Sequence, residues 1–176
     1  VFHGNPSGVD VEAALAGGCI RFERRGEDVH SRPVTLGQAL PLAVGLTGTR
    51  SSTKEMVSNV AALHRSKPDV VERSLTAIRA LVDNAETALA DGRLADLGEL
   101  VNLNRLLLAG WMLSTAAIEA LCGSAREHGA LGAKLTGAGG GGAVVALLPD
   151  LDAGAAVVAA WRELGYEGFT TRVEPR

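Results

Sequence analysis

The sequence has few aromatic residues, no excess of basic charge and no long apolar run. These shortages limit the kind of core and the partners that the protein can have. Aromatic residues make up 3% of the 176 residues, so a core must be built mainly from Ala, Val and Leu. The net charge of −3 argues against nucleic-acid binding, which usually requires a basic face. The longest apolar run, Ala143 to Leu148, is too short to span a bilayer. We therefore expect a cytoplasmic protein with no membrane or nucleic-acid partner.

Cysteine is also scarce, and its spacing argues against a disulfide framework. Cys19 and Cys122 are far apart in sequence and form no CxxC pair. Two reduced thiols are the prediction, because disulfides are rare in a reducing cytoplasm. A hydrophobic fraction of 47% and a charged fraction of 21% are typical of a folded domain with a core.

Apolar periodicity and turn residues predict strands at both ends and helices in the middle. Ser52-Thr-Lys-Glu55 has the spacing of a capping box, in which Ser52 caps the amide of Glu55. Pro68 opens the next helix, and its apolar residues recur every three or four positions, which predicts a stripe facing the core. The stripe comprises Val71, Leu75, Ile78, Val82, Ala85 and Leu89. The other predicted elements are helices at 9–16, 94–111, 115–128 and 152–164 and strands at 19–23, 29–34, 41–47, 143–148 and 168–173.

A run of six residues, Gly137-Ala-Gly-Gly-Gly-Gly142, contains five glycines. It satisfies GxGxxG by letter, but a dinucleotide-binding loop follows a strand and precedes a helix, whereas a strand follows this run. No Gly-Lys-Ser/Thr ends it, so it is not a Walker loop either. Successive glycine amides can form a concavity that binds anions, and Lys134 and Thr136 could add a charge and a hydroxyl. The alternative is a tight hairpin, which needs only one or two glycines.

A second dense motif, His3-Gly-Asn-Pro-Ser-Gly-Val-Asp10, precedes the first predicted helix. Ser7 and Asp10 have the spacing of a capping box, so a local structural role explains both residues. In a functional role, Asp10 lies in the first turn of the helix, where the helix dipole favours its carboxylate. It could then orient a substrate hydroxyl and take up its proton during phosphoryl transfer. The two interpretations are compatible.

Together and in this order, HGNPSGVD and GAKLTGAGGGG resemble motifs of the GHMP kinase superfamily, named for galactokinase, homoserine kinase, mevalonate kinase and phosphomevalonate kinase. The first string is most similar to mevalonate kinases. Thr47-Gly-Thr-Arg-Ser-Ser-Thr-Lys54 and Asn102-Leu-Asn104-Arg-Leu-Leu also fit that branch, so the resemblance covers essentially the whole chain. It implies an α+β fold. Residues 38–176 would form a carboxy-terminal domain, a ferredoxin-like split βαβ sheet with additional helices, and residues 1–37 the tail of an amino-terminal domain that carries the catalytic Asp motif.

The resemblance also implies an activity, the transfer of the γ-phosphoryl of ATP to the primary hydroxyl of mevalonate with Mg²⁺ as cofactor. Asp10 matches the family's catalytic aspartate. On the phosphate and nucleotide side, the matching residues are Lys134, Thr136, Gly137, Gly139, Gly140 and Gly141. On the substrate side they are His3, Ser7, Thr53 and Lys54, although His3 could equally be a structural hydrogen-bonding residue. Asn104, which interrupts an apolar stripe, is either a hydrogen-bonded core amide or a substrate contact.

The family's PxxxGLGSS-type phosphate loop, its magnesium ligands and its catalytic lysine have no counterpart in this sequence. We therefore expect a fragment of a longer enzyme, with no metal ligands of its own and no phosphomevalonate formed when it alone is given Mg-ATP and mevalonate. Phosphomevalonate kinase, mevalonate diphosphate decarboxylase and a non-catalytic GHMP-like binding domain remain alternatives. A homodimer is also left open.

Overall fold

The computed structural model describes residues 8–175, and its elements follow the predicted order, with one further strand at residues 132–136, directly before the glycine run. The helices are α1 (Val9–Ala16), α2 (Thr53–Ser66), α3 (Pro68–Ala90), α4 (Leu94–Gly110), α5 (Ala116–Glu127) and α6 (Ala153–Glu163). The strands are β1 (Ile20–Arg25), β2 (Asp28–Pro33), β3 (Leu40–Leu46), β4 (Gly132–Thr136), β5 (Ala143–Leu147) and β6 (Glu167–Val173). None of the helices in residues 8–175 combines the length and the apolar character that crossing a membrane would take.

Four strands form an antiparallel sheet in the order β4-β5-β3-β6. Counted along the chain from β3, this is the strand order 2-3-1-4, in which β5 lies between the two strands of a split βαβ unit. The helices α2 to α5 all fall in the connection from β3 to β4, and α6 connects β5 to β6. The predicted ferredoxin-like α+β sheet with additional helices is therefore confirmed.

One face of this sheet carries α5 and α6 and the larger of two apolar clusters. Trp161 of α6 is fully buried there, and its indole Nε1 donates to the carbonyl of Leu121 at 2.9 Å. The sheet makes room for the ring at Gly45 and Gly168, since a Cβ on Gly168 would lie 2.6 Å from it. Aliphatic residues, mainly Ala, Val and Leu, fill most of the rest of this core, as the shortage of aromatic residues predicts. They include Ala43, Ala125, Ala133, Ala146, Val144 and Val157.

The helix α4 approaches the edge strand β4 so closely that only glycine fits at the contact. A Cβ on Gly98 of α4 would lie 2.6 Å from the Cβ of Leu131. Next to this contact, Asn102 Nδ2 donates to the carbonyl of Leu131 at 3.1 Å, and the amide of Ala133 donates to Asn102 Oδ1 at 3.2 Å. The side chain of Asn102 thus satisfies backbone groups at the outer edge of the sheet, which would otherwise lack a partner on that side.

The prediction that the apolar stripe of α3 faces the core is wrong for the middle of the helix. Only Val71 and Ala88 of this helix are buried, whereas Leu75 and Val82 are 40% and 44% exposed. A groove opens on each side of the helix, one lined by Leu75 and the other by Val82, because α2 and α4 do not close over it there. Periodicity predicts which face of a helix is apolar, and the neighbouring helices decide how much of that face is covered.

Both cysteines are free, as the sequence predicts. Cys122 is buried in the larger cluster, where burial, aided by the nearby Glu119, raises the pKa of its thiol to about 11. Cys19 is half-buried, and burial also raises its pKa. Both thiols are thereby held in the protonated, less reactive form.

The contact at Gly98 gives a test of the helix-on-sheet packing. Gly98→Ala should lower the free energy of unfolding by about 1–3 kcal/mol, since the new methyl group has no room. Gly123→Ala is the matched control, because Gly123 is also helical but a Cβ there meets nothing within 4 Å. It should be neutral or stabilising by about 0.5–1 kcal/mol. Urea denaturation compares the two, and equal effects would contradict the packing described here.

Candidate functional site

The glycine run forms the connection between β4 and β5, and its backbone adopts conformations that side chains disfavour. The φ angles of Gly137, Gly139, Gly140, Gly141 and Gly142 are all positive, at 78°, 85°, 72°, 143° and 78°. Three of these glycines also lack room for a side chain. A Cβ would lie 2.5 Å from the carbonyl oxygen of Leu113 at Gly139, 2.6 Å from Met56 Sδ at Gly140 and 2.8 Å from the carbonyl oxygen of Thr49 at Gly141. The run therefore needs glycine for both backbone conformation and close packing.

Hydrogen bonds fix this glycine loop to two other segments of the chain. The amide of Gly140 donates to the carbonyl of Leu113 at 2.8 Å, and the amide of Gly142 donates to the carbonyl of Thr49 at 2.9 Å. Thr47 is buried and binds the loop from the other direction. Both its amide, at 2.9 Å, and its hydroxyl, at 3.0 Å, donate to the carbonyl of Gly142. In the sequence, Thr47 is only the first residue of the segment Thr47–Lys54 that resembles mevalonate kinases, and nothing there indicates that it binds the glycine loop.

The first turn of α2 lies against the same loop. Ser52 is the N-cap, and its hydroxyl accepts from the amide of Glu55 at 3.3 Å, which confirms this part of the predicted capping box. A Cβ on Gly140 would lie 3.2 Å from the Cβ of Ser51, just before that cap. The structure therefore brings the positive end of the α2 dipole, with the exposed Thr53 and Lys54, beside the glycine loop.

Some amides of the loop are available to a ligand. Within the described chain, Gly140 and Gly142 donate to protein carbonyls, but no protein acceptor is found for the amides of Gly139 and Gly141. Free amides in a left-handed turn, next to a helix N-terminus, suit the oxygens of an anion such as phosphate. The hairpin alternative explains the position of the run between two strands, and the packing described above explains its richness in glycine.

Lys134 lies on the opposite face of β4 from the larger apolar cluster, at a groove of about 210 Å³ between α3 and α4. Its Nζ donates to the carbonyl of Leu135 at 3.0 Å, and no hydrogen bond joins it to the loop within residues 8–175. Burial among apolar side chains lowers the pKa of its ammonium, an effect that Cys122 partly opposes. Asn104 lines the same groove and makes no hydrogen bond in the described chain, so its interpretation as a hydrogen-bonded core amide is wrong; Asn102 has that role.

The other predicted site residues lie apart or outside the described chain. Asp10 is exposed in the first turn of α1, which begins after Gly8, and no contact between it and the glycine loop is found in residues 8–175. Thr136 is exposed at the end of β4. His3 and Ser7 lie outside the described residues, and so does the predicted capping contact of Ser7.

An apolar groove of about 400 Å³ opens between α2, α3 and the start of the glycine loop. His64 stands at this groove and pairs with Glu72 of α3, with 2.9 Å between Nε2 and Oε1. Residues 8–175 contain no cluster of three or more His, Cys, Asp or Glu side chains that could hold a metal ion. The free amides of the glycine loop fit the oxygens of a phosphate group. The groove is lined by Met56, Val57, Val60, Ala61, His64, Val71, Leu75, Trp111, Leu113, Gly137 and Ala138.

The sequence and fold of the chain match known proteins. Residues 77–167, just over half of the chain, match the family described as GHMP kinases C terminal. The mevalonate kinase of Pyrococcus abyssi is 38% identical over 151 residues, which cover 83% of this chain and 44% of that protein. The mevalonate kinase of Bos taurus is 35% identical over 177 residues, which cover 96% of this chain and 43% of that protein.

A solved structure has the same fold over nearly the whole length of this chain. The mevalonate kinase of L. major in complex with R-mevalonate superposes with a TM-score of 0.91 at 34% identity, over 99% of this chain and 54% of that one. The chain therefore belongs to the GHMP kinases, through their carboxy-terminal domain. Within that superfamily it is similar to the carboxy-terminal part of mevalonate kinases. It spans less than half the length of the two relatives named above.

The close packing of the loop can be tested with two glycines of similar φ. Gly139→Ala and Gly142→Ala both place a side chain in a left-handed conformation, but only Gly139 lies against Leu113. Gly139→Ala should therefore lower the free energy of unfolding by about 1–3 kcal/mol more than Gly142→Ala does. Denaturant titration of both variants measures the difference, and similar losses would show that Leu113 does not confine the loop.

The burial of Lys134 predicts a pH dependence of stability. Its pKa in the folded state lies below the ordinary value of 10.5, so the unfolded chain binds this proton more tightly. The cost of burying the charge is full below the folded pKa and diminishes as the pH rises towards the ordinary value. Lys134→Met should thus stabilise the chain at about pH 7, and the gain should shrink by about pH 10. Denaturation at both pH values checks this, and Lys54→Met, at an exposed position, is the control.

Proposed function

We propose that the gene product containing this chain is an ATP-dependent mevalonate kinase, which transfers the γ-phosphoryl of ATP to the primary hydroxyl of mevalonate. The observation that carries the proposal is the glycine loop, whose unpaired amides at Gly139 and Gly141 lie beside the first turn of α2. The likeness over nearly the whole chain to proteins named as mevalonate kinases, one of them in complex with R-mevalonate, supports this choice of substrate.

The glycine loop would hold phosphate oxygens in this reaction. Phosphoryl transfer depends mainly on positioning and on stabilising the charge that spreads over the transferred group. The bonds of Gly140 to Leu113 and of Gly142 to Thr49 fix the loop, so its free amides need no reorganisation to do this. Lys54, exposed in the first turn of α2, adds a positive charge on the same side. Mg²⁺ bound with ATP neutralises further phosphate charge, and its ligands are expected outside the described residues.

Asp10 is proposed as the catalytic residue on the substrate side. A carboxylate at the N-terminus of a helix is favoured by the helix dipole, and Asp10 is exposed to solvent there. It would hold the primary hydroxyl of mevalonate in line with the phosphoryl group and accept the hydroxyl proton as the bond forms. Thr53 and Lys54, and also His3 and Ser7, are proposed to bind the rest of the substrate.

The position of α1 and the hairpin suggests how the chain divides. In the described residues, β1 and β2 pair only with each other, and the four-stranded sheet begins at Leu40. This arrangement supports the assignment of residues 38–176 to the carboxy-terminal domain and of residues 1–37 to the tail of the amino-terminal domain. A cytoplasmic location is proposed with it.

The related substrates are the main alternatives. Phosphomevalonate and diphosphomevalonate carry phosphate groups, so an enzyme for either needs further cations at the substrate side, for which Arg50 and Lys54 are the exposed candidates near α2. Turnover of the full-length gene product with mevalonate, phosphomevalonate and diphosphomevalonate separates the three. Activity with none of them would favour a binding domain without catalysis.

The role of Asp10 can be tested in the full-length gene product. Asp10→Asn keeps the size of the side chain and removes the proton acceptor, so kcat for mevalonate should fall by about 10²-fold or more with little change in KM. Asp69→Asn is the matched control, since Asp69 is also an acidic residue in the first turn of a helix, α3. Steady-state kinetics with Mg-ATP measures both. A kcat of Asp10→Asn within a factor of two of the wild type would remove Asp10 from the mechanism.

A further inference from the structure

The hairpin of β1 and β2 is joined to the helical part of the chain at α3. In the described chain its strands pair only with each other, and every residue of β2 is exposed. A two-stranded hairpin is marginally stable by itself. The hairpin directly follows α1, the helix that carries Asp10. Its attachment to α3 therefore affects where Asp10 lies relative to the helical part of the chain.

A network of charges provides that attachment. Arg21 of β1 lies with its Nη1 2.7 Å from Asp83 Oδ1 and 3.0 Å from Glu86 Oε2, both on α3. Arg32 of β2 binds Glu86 with two nitrogens, Nη1 at 2.5 Å from Oε1 and Nη2 at 2.8 Å from Oε2. Glu86 is thus shared by one arginine from each strand. The hydrogen bond from Arg32 has the largest effect and that from Arg21 the next, and both lower the pKa of the Glu86 carboxyl.

The network differs from an ordinary surface ion pair. Isolated exposed pairs contribute little, because solvent and salt screen the charges and the side chains lose entropy. Here one side chain serves several partners, and the bidentate contact of Arg32 fixes its geometry. The side chain of Arg21 is only 19% exposed and that of Glu86 only 25%. Ordering one carboxylate therefore orients both strands at once.

A further hydrogen bond extends the connection to α1. The hydroxyl of Ser31, which precedes Arg32 in β2, donates to the carboxylate of Glu12. Glu12 lies on α1, two residues after Asp10. A continuous path of contacts thus runs from Glu86 on α3, through Arg32 and Ser31 of the hairpin, to the helix that bears Asp10.

We propose that Glu86 is a positioning residue for phosphoryl transfer, which fixes α1 and its Asp10 relative to the helical part of the chain through the β1–β2 hairpin. The proposal rests on the catalytic role proposed for Asp10. Glu86 itself touches neither the glycine loop nor the first turn of α2 in the described chain. Its loss should consequently affect the placement of Asp10 and leave the phosphate-binding groups in place.

The test uses the full-length gene product with Glu86→Gln, which keeps the shape of the side chain and removes its charge. A small misplacement of a catalytic group lowers the rate about tenfold to hundredfold, so kcat should fall by that factor while KM for ATP stays unchanged. Hydrogen exchange should become about tenfold faster in α1 and the hairpin and remain the same in β4, β5 and α5. Glu72→Gln is the matched control, because Glu72 is also a paired glutamate on α3 but contacts His64 instead.

A second variant keeps the proposal testable if Glu86→Gln folds poorly. Arg32→Met removes one of the two arginines that bind Glu86 and leaves the contacts of Arg21. A smaller fall in kcat and a smaller increase in the exchange of α1 and the hairpin are therefore expected. Faster exchange in the hairpin with an unchanged kcat would make the network purely structural and overturn the proposal, as would unchanged exchange in both variants. Wild-type protein without mevalonate kinase activity would instead overturn the proposed function, and the exchange data would still show whether Glu86 holds the hairpin.

Discussion

Direct contact between backbones at glycine positions holds both the helical layer and the glycine loop in place. Gly98 lets α4 lie against the edge strand β4, and α4 leads directly to Leu113, whose carbonyl accepts from Gly140. The position of α4 on the sheet therefore fixes one side of the loop. Thr49 fixes the other side by accepting from Gly142. A side chain at Gly98 would push α4 outward and would move Leu113 with it.

Local patterns predicted the elements well because the forces that create them are local. The capping contact of Ser52 follows from local residue types, and glycine permits the positive φ angles that the run adopts. The fold class came from a resemblance, which the strand order confirms. The stripe of α3 was less successful, since an apolar face is buried only where neighbours cover it, and Leu75 and Val82 border open grooves.

Contacts between distant residues were the part that sequence could not predict. Asn102 and Asn104 are two residues apart on α4, and only the structure shows that Asn102 binds the start of β4, 29 and 31 residues further on. Arg21 and Glu86 are separated by 65 residues. Charged residues are common on any surface, so no pattern distinguishes a shared, half-buried glutamate from an exposed one before the chain folds.

The two parts of the proposed site are consequently held by different forces. Close packing and backbone hydrogen bonds position the glycine loop, and salt has little effect on either. In the proposal above, the partly buried ion pairs of Glu86 position the hairpin and Asp10. A phosphate group would thus meet amides held by packing and backbone hydrogen bonds, whereas the substrate hydroxyl would meet a carboxylate held through charged side chains.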